Sequence, residues 1–324
     1  MRTYFLLPIL MLCISCGDKP KDTIGTNPLP AKTALVNNVS LLILGNVQDA
    51  GSPHIACKKA CCKQLYLNHD KGRKVVSLGL IDPEHKKTYL FEATPDIASQ
   101  LKALKNSVSW QAPELPNGIF VTHAHIGHYS GLMYLGKEAT NAMEVPVFTM
   151  PKMKSFLESN GPWGQLVTNK NIDLTQMLED KAIALTSNLK VVPFTVPHRD
   201  EYSETVGFTI IGPSKKVLFI PDIDKWESWD KSIIEAVSNV DIALVDATFF
   251  DSAEVNNRDI SEIPHPFVIE TMALFDSLPM HEKRKIRFIH FNHTNPLLNE
   301  ESEQSREVLK KGYGIARMND VINL

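Results

Sequence analysis

Residues 118–128 read GIFVTHAHIGH, a short hydrophobic run followed directly by three closely spaced histidines. The β-branched and aromatic side chains of 118–122 predict a buried strand, and 129–135 predict a helix after the histidines. His123, His125 and His128 therefore leave the end of one strand together, where their imidazoles can converge on one point. Neutral imidazole is the commonest protein ligand of zinc, so this stretch indicates a metal site rather than a chance surface cluster.

The same alternation of strands and helices continues on both sides of this stretch. Strands are predicted at 39–45, 75–81, 89–92, 145–149, 190–194, 206–211, 217–220, 242–245 and 287–289, and helices at 96–105, 151–159, 231–237, 266–274 and 300–311. The segment after the first strand, which contains three cysteines, is predicted to be a long irregular loop. Strand-rich halves with helices between them predict an α+β fold, in which two sheets pack face to face with helices outside. Residues 38–324 are predicted to form one domain.

The spacing of the histidines resembles the motif His-x-His-x-Asp-His of the metallo-β-lactamase superfamily, which also follows a hydrophobic strand and a threonine. This resemblance implies a four-layer αββα sandwich of two mixed sheets flanked by helices. One position departs from the motif, because the chain has Gly127 where the family has an aspartate that binds a second metal ion. The resemblance therefore favours a first ion held by His123, His125 and a later histidine, with the second ion weakened, substrate-dependent or absent.

Later segments resemble the remaining motifs of the family. His198, Asp222 and His290 each follow closely after a predicted strand, and Asp222 corresponds to the carboxylate that bridges two ions in the family. Asp224 is an alternative to Asp222, and His293 competes with His290 for the last position. The resemblance implies one or two zinc ions, or manganese or iron in their place, held by His123, His125, His128, His198, Asp222 and His290.

The cysteines give a second candidate metal site. Apart from two cysteines in the N-terminal leader, the chain has Cys57, Cys61 and Cys62. Three thiols cannot all pair within one chain, whereas three thiolates and one histidine form a common tetrahedral zinc site. Some phosphodiesterases of the family that the chain resembles hold a structural zinc with such cysteines and a late histidine, which here is His293. The alternative is one disulfide and one spare thiol, which an oxidising compartment favours.

Three further side chains are candidates for supporting or catalytic roles. Glu92 lies where the family carries an aspartate that orients the histidine loop, and Asp246 follows a predicted strand. Both are predicted to support the ligands from behind rather than to bind the ion. His265 is the candidate general acid for a leaving group, with Asp222 as the other catalytic residue. Ordinary capping or turn hydrogen bonds are the alternative for Asp246 and His265.

The first residues form a targeting signal. Arg2 precedes the mostly apolar run 4–14, and the Ser-Cys-Gly sequence at 15–17 resembles the cleavage site of bacterial lipoprotein signals. We expect residues 1–15 to be a signal peptide, Cys16 to carry a lipid, and residues 16–37 to be a flexible tether. The protein is then expected to be exported and to meet the membrane only through its lipid anchor, and a plain secretory signal is the alternative.

Composition and charge point away from nucleic acids. The 324 residues are 43% hydrophobic and carry a formal net charge of −3, so the chain has material for a large core and no basic field for DNA or RNA. The cysteine segment, Tyr-Ser-Gly-Leu at 129–132 and His-Thr-Asn-Pro at 293–296 resemble the branch that contains pyrroloquinoline quinone biosynthesis protein B and the cyclic-phosphate phosphodiesterases. This implies a metal-dependent hydrolase of phosphodiesters or related esters and lactones of small molecules. The alternatives are an iron-dependent oxidation and a lipoprotein that only binds a ligand.

Overall fold

Two β-sheets form the centre of the computed structural model, which describes residues 35–324 except residues 69, 71 and 257. The strands are β1 (Ser40–Gly45), β2 (Ser77–Asp82), β3 (Lys87–Phe91), β4 (Ile119–Phe120), β5 (Val145–Thr149), β6 (Ile172–Gln176), β7 (Ile183–Ala184), β8 (Lys190–Thr195), β9 (Val206–Ile211), β10 (Lys216–Ile220), β11 (Ile242–Asp246), β12 (Ile286–Ile289), β13 (Gly314–Ile315) and β14 (Val321–Asn323). The N-terminal sheet has the order β14-β1-β2-β3-β4-β5-β6, and the C-terminal sheet has the order β13-β12-β11-β10-β9-β8-β7. Each sheet has seven strands and mixes parallel with antiparallel pairs.

Several helices pack on the outer faces of the two sheets, and the others lie in the connecting loops. The helices are α1 (Ala60–Leu67), α2 (Ile97–Asn106), α3 (Ile126–Tyr129), α4 (Pro151–Ser159), α5 (Trp163–Thr168), α6 (Ile233–Ser238), α7 (Val268–Leu274), α8 (Met280–Lys283) and α9 (Glu303–Lys310). Pro151 opens α4 in its first turn, where a missing backbone N–H costs nothing. Within the described ranges, none of these helices combines the length and the apolar content that a membrane crossing requires.

The strands are hydrophobic on both faces because both faces are covered. In β1, Leu41 and Ile43 join the apolar cluster between the two sheets, whereas Leu42 and Leu44 join the cluster under the outer helices. Phe91 of one sheet lies 5.3 Å from Phe208 of the other, measured between ring centroids. Continuous hydrophobic strands of this kind are typical of sheets with helices on one side and a second sheet on the other.

Strand direction brings many loop starts to one end of the molecule. β3 to β6 run parallel in the N-terminal sheet, and β10 to β13 run parallel in the C-terminal sheet. β2 and β9 are antiparallel to both of their neighbours, so β1 runs in the direction of β3 and β8 in the direction of β10. The carboxyl ends of β1, β3 and β4 therefore share one edge of their sheet, and those of β8, β10, β11 and β12 share one edge of theirs.

The predicted fold class is confirmed, and β5, α4 and β9 have the predicted bounds. The cysteine segment was predicted to be irregular throughout, and this is wrong, because α1 includes both Cys61 and Cys62. The short strands β7, β13 and β14 were not predicted, since two or three residues carry no readable alternation.

The boundary between tether and domain lies earlier than predicted. Val36, assigned to the tether from sequence, is 3% exposed, and its N–H donates to the carbonyl of Ser107 at 2.8 Å. The domain therefore begins before residue 38. The predicted signal peptide, the lipidated Cys16 and the greater part of the tether fall in residues 1–34, which lie outside the described residues.

Candidate metal centre

Three histidines leave the carboxyl end of β4 and enter the space between the ends of the two sheets. The chain passes from Phe120 through Val121 and Thr122, and α3 starts one residue after His125. His123 and His128 are 1% and 0% exposed, and the side chain of His125 is 16% exposed. The loop therefore presents three imidazoles to one buried point at the edge of the sheets.

A first group of ligand atoms surrounds one carboxylate oxygen. His123, His125, His198 and Asp222 each offer one atom, and these atoms lie within 4.8 Å of one another. Oδ2 of Asp222 is 3.4 Å from Nε2 of His123 and 3.2 Å from Nε2 of His198. Ligands placed about 2.0–2.1 Å from a tetrahedral zinc ion are separated by about 3.3 Å, so these spacings suit one shared ion.

A second group shares Asp222 with the first. It consists of Asp49, His128, Asp222 and His290, whose ligand atoms again lie within 4.8 Å of one another. Oδ1 of Asp49 is 2.8 Å from Nε2 of His128 and 3.3 Å from Nε2 of His290. Asp222 is 2% exposed and lies between the two groups, which is the position of a carboxylate that bridges two ions.

Several of these atoms lie near charged neighbours but form no well-oriented hydrogen bond with any described residue. In the part of the chain that the structure describes, Nε2 of His123, Nε2 of His128 and Oδ1 of Asp222 are buried and form no hydrogen bond. Buried polar atoms are nearly always paired, and an unpaired one costs about 1–3 kcal/mol. Imidazole nitrogens and carboxylate oxygens that direct lone pairs to two points fit a pair of cations, so the residues present suit the metal ions that the sequence implies.

The far side of several ligand rings is held by a neighbouring oxygen. The pairs are Thr122 Oγ1 with Nδ1 of His123 at 2.8 Å, Asp224 Oδ1 with Nδ1 of His198 at 2.9 Å, and Thr248 Oγ1 with Nδ1 of His290 at 2.9 Å. Each contact fixes the ring orientation and directs Nε2 toward the cluster. Asp224 therefore supports His198 from behind, and of the two aspartates proposed for the bridging position only Asp222 lies between the ligand groups.

Glu92 and His290 are held in backbone conformations that favour glycine. Their φ angles are +71° and +67°, and both residues are 0% exposed. Oε1 of Glu92 lies 3.5 Å from Nδ1 of His128, so Glu92 takes the place predicted for it behind the histidine loop. Left-handed backbone at non-glycine residues costs about 1–3 kcal/mol and concentrates at functional sites, which fits the position of both residues at strand ends beside the cluster.

Asp246 and His265 form a third contact with Asp222. Nδ1 of His265 is 2.9 Å from Oδ2 of Asp246 and 3.1 Å from Oδ1 of Asp222. Asp246 also accepts the turn hydrogen bond from the N–H of Thr248 at 2.8 Å, so it makes the ordinary turn contact as well as the supporting one. The side chain of His265 is 13% exposed, which leaves part of the ring open to solvent.

Burial and charge act in opposite directions on the cluster histidines. Burial, together with the neighbouring His128, lowers the pKa of His123 to about 3, so this imidazole stays neutral and its lone pair is free for an ion. At His290, burial also lowers the pKa, but the charge of Asp222 and the contacts with Asp246 and Asp49 together outweigh burial and raise the pKa to about 9. Metal binding at the second group must therefore displace a proton from His290.

The three remaining cysteines and His293 form a separate cluster. Their ligand atoms lie within 4.8 Å of one another, and among the described residues Cys57, Cys61 and Cys62 are free thiols. Burial and the neighbouring thiols raise the pKa of Cys61 to about 11, and burial lowers the pKa of His293 to about 4. A neutral imidazole and three thiols that release protons on binding are the donor set of a closed structural zinc site.

Sequence reasoning missed one member of the histidine cluster, Asp49. It follows β1 in the loop that carries the cysteines, and a single aspartate there matches no motif. The sequence predicted a second ion that is weakened, substrate-dependent or absent because residue 127 is glycine, and the structure adds the carboxylate of Asp49 to the second ligand group. The absence of an aspartate at position 127 could have pointed to Asp49, because a second ion would then need a carboxylate from the end of another strand.

Comparison with known proteins agrees with this arrangement. A family model described as the beta-lactamase superfamily domain matches residues 87–291. The coenzyme PQQ synthesis protein B of Methylococcus capsulatus is 24% identical over 302 residues, which cover 85% of this chain and 96% of that protein.

Two solved structures show the same fold. Zinc-bound PqqB from Methylobacterium extorquens superimposes with a TM-score of 0.70 at 19% identity, covering 88% of this chain and 100% of that chain. A diphosphatase of the PhnP family gives a TM-score of 0.60 at 19% identity, with 88% and 97% covered. With two facing mixed sheets, ligands at their strand ends and a family match over most of the chain, this protein belongs to the metallo-β-lactamase superfamily.

Proposed function

We propose that this chain is an exported, lipid-anchored hydrolase that uses one or two metal ions to cleave phosphodiesters or related esters and lactones of small molecules. The observation that carries the proposal is the pair of ligand groups that share Asp222, with buried atoms of His123, His128 and Asp222 that form no hydrogen bond among the described residues. Such an arrangement stabilises the folded protein poorly by itself, because it concentrates unpaired polar atoms in a dry site. Bound ions would pair these atoms and offset the free-energy cost of burying them.

The residues around the cluster supply the other requirements of hydrolysis. A zinc, manganese or iron ion, when bound, lowers the pKa of a water ligand and polarises a phosphoryl or carbonyl oxygen. Asp222 lies where it can hold two ions at a fixed spacing. Asp246 holds the ring of His265 through Nδ1, which leaves Nε2 to give a proton to the departing oxygen. Thr122, Asp224 and Thr248 contact the imidazoles of His123, His198 and His290, respectively. These contacts fix the orientation of the three rings toward the ligand groups.

A second candidate function is a reaction of the coenzyme PQQ synthesis protein B type, with iron in the site. The observation that favours it is the match to these proteins over 96% of the length of the Methylococcus relative. Histidines and carboxylates also hold non-haem iron. Anaerobically reduced iron protein that consumes oxygen would support this candidate, and zinc protein that hydrolyses esters without oxygen would support the first.

A third candidate, a lipoprotein that only binds a ligand, rested on Gly127. The carboxylate of Asp49 removes this argument, because the second group has four ligand residues without any side chain at 127. The superfamily neighbour described as a diphosphatase adds support for chemistry at a phosphoryl group.

The hydrolase proposal is tested with purified full-length protein loaded with zinc or manganese. We expect turnover of bis-para-nitrophenyl phosphate, a phenyl phosphonate or a simple lactone, and its loss in His123→Ala. Asp173→Ala, which changes an exposed aspartate on the edge strand β6, is the control and should keep the wild-type rate. The proposal would be contradicted by metal-loaded wild-type protein that binds a ligand at the histidine cluster but hydrolyses none of the three substrate classes.

Export and lipidation rest on the sequence of the leader. Cys16→Ala should move the protein from the membrane fraction to the soluble fraction without changing its activity. Membrane association that survives this substitution would exclude the lipid anchor at Cys16.

A further inference from the structure

Gly127 lies against the backbone of the loop that follows β1. A Cβ atom added at Gly127 would be 2.4 Å from Cα of Asp49 and 2.6 Å from its Cβ. Contacts this short do not occur between atoms that are not bonded to each other. A backbone atom also cannot move aside as the tip of a flexible side chain can. Residue 127 and the loop at Asp49 therefore compete for one space, and glycine at 127 is what allows the loop to lie there.

The side chain of Asp49 fills the place that this close approach makes available. Its Oδ1 lies 2.8 Å from Nε2 of His128 and 3.3 Å from Nε2 of His290, and its side chain is 15% exposed. Asp49, His128 and His290 form a ligand group with Asp222, and the ligand atoms of the four residues lie within 4.8 Å of one another. Nε2 of His128 points into the second ligand group, and the carboxylate of Asp49 lies closer to this atom than that of Asp222 does.

The loop that carries Asp49 is fixed by backbone contacts on both sides. The N–H of Gln48 donates to the carbonyl of Phe291 at 2.8 Å, directly after His290, and the N–H of Gly51 donates to the carbonyl of Gln48 at 2.8 Å. Val47 pairs with both Val75 and Phe291. These bonds place Asp49 in one orientation relative to His290, as a metal ligand requires.

We propose that Asp49 is the terminal carboxylate ligand of the second metal ion, supplied by the loop after β1 in place of an aspartate at position 127. The inference rests on the proposed metal-dependent function and names the residue that completes it. It also makes a glycine without any ligand atom a determinant of metal binding. The competing interpretation is that Asp49 only forms an ion pair with His128 and takes no part in metal binding.

The first test is metal binding by Asp49 variants. Apo protein is titrated with manganese or zinc, and bound ions are counted by elemental analysis and, for manganese, by the spin-coupled signal of an ion pair in electron paramagnetic resonance. We expect two ions in the histidine cluster of the wild type, and second-ion binding weakened by at least about 100-fold in Asp49→Ala and Asp49→Asn. First-ion binding should change little, and Asp173→Ala should match the wild type.

The second test uses Gly127, which has no side chain to remove. Gly127→Ala should displace the loop and weaken the second ion to a similar extent, although alanine is itself favourable in α3. Gly161→Ala is the matched control, because a Cβ there meets nothing within 4 Å. Circular dichroism and retained first-ion binding show that the variants are folded.

The outcomes separate the two proposals. A wild-type protein whose histidine cluster binds no ion contradicts the proposed function itself. A wild type that binds two ions while Asp49→Ala and Asp49→Asn bind both with unchanged affinity leaves that function standing and overturns the role of Asp49. Equal binding of a single ion by wild type and variants overturns it as well.

Discussion

The histidine cluster and the cysteine cluster are built in different ways. The histidine cluster, which consists of the two ligand groups that share Asp222, draws residues from the loops after five strands in two sheets, and its core members Asp222 and His290 are 2% and 0% exposed. The cysteine cluster takes three ligands from one segment and only His293 from elsewhere, and Cys57 and Cys61 are partly exposed. The first is positioned by the fold, whereas the second joins a loop to the fold.

The two donor sets suit ions of different roles. Carboxylates and imidazoles that surround two points and stay partly open to solvent are the donors of a catalytic site, and three thiols with one imidazole are the donors of a closed structural site. The two clusters are also linked, because the loop of Asp49 continues to His54, whose N–H lies 3.3 Å from Sγ of Cys62 and whose ring is 4.4 Å from that of His293. Changes at one cluster should therefore reach the other through this loop or through the segment from His290 to His293.

The largest expected effect comes from Asp222→Asn, which removes the charge shared by both ligand groups. An ion contributes several kcal/mol to charge stabilisation in the transition state, so we expect hydrolysis to fall by about 1,000-fold or more. The histidine cluster should lose its ions while the cysteine cluster keeps its own, as measured by elemental analysis and steady-state rates. A folded Asp222→Asn protein that keeps both its hydrolysis rate and its metal content would contradict the role of Asp222 as the shared ligand of the histidine cluster.

The next effect is expected from Cys61→Ser, which removes one ligand of the cysteine cluster. The midpoint of thermal unfolding should fall by about 2–4 °C for each kcal/mol that is lost, since the ion holds a segment with few buried apolar groups. The first ion of the histidine cluster should bind as in the wild type, and the second should bind more weakly because its ligand Asp49 lies on the same loop. A variant with unchanged unfolding and unchanged metal content would show that the cysteine cluster binds no ion.

The smallest effect concerns Glu254, beside the segment that connects His290 with His293. Its Oε1 accepts the hydroxyl of Thr294 at 2.8 Å, and burial raises its pKa to about 7 from 4.5. The folded protein therefore holds a proton that the unfolded chain releases between these two values. Stability should fall as pH rises through this window, by at most about 3 kcal/mol, and stay lower above it.

Glu254→Gln, which is neutral at every pH, should flatten this part of the stability curve. The measurement is the free energy of unfolding of variant and wild type at about pH 5 and about pH 8. Parallel curves for the two proteins would show that Glu254 titrates normally.

The sequence predicted the fold and most of the site because both depend on local signals. Hydrophobic strands that end in histidine or aspartate are readable along the chain, and His123, His198 and His290 follow such strands. Asp222 was preferred over Asp224 from the family resemblance and not from the strand pattern, because both follow the same strand and only packing directs one inward.

Asp49 shows where sequence reasoning ended. Its role depends on the distance between two loops that are far apart in the chain, and on the absence of a side chain at Gly127. The helix α1 was missed for a related reason, since Ala60–Leu67 has weak hydrophobic periodicity and is placed by its cysteines rather than by a core.

The most direct test of the account is metal-edge anomalous diffraction from crystals of the full-length protein purified without added chelator. The account predicts two anomalous peaks among the histidines, one on each side of Asp222 and the second within bonding distance of Asp49, and a third peak among the cysteines and His293. Crystals that diffract well and show no anomalous peak beside Asp222 would contradict it.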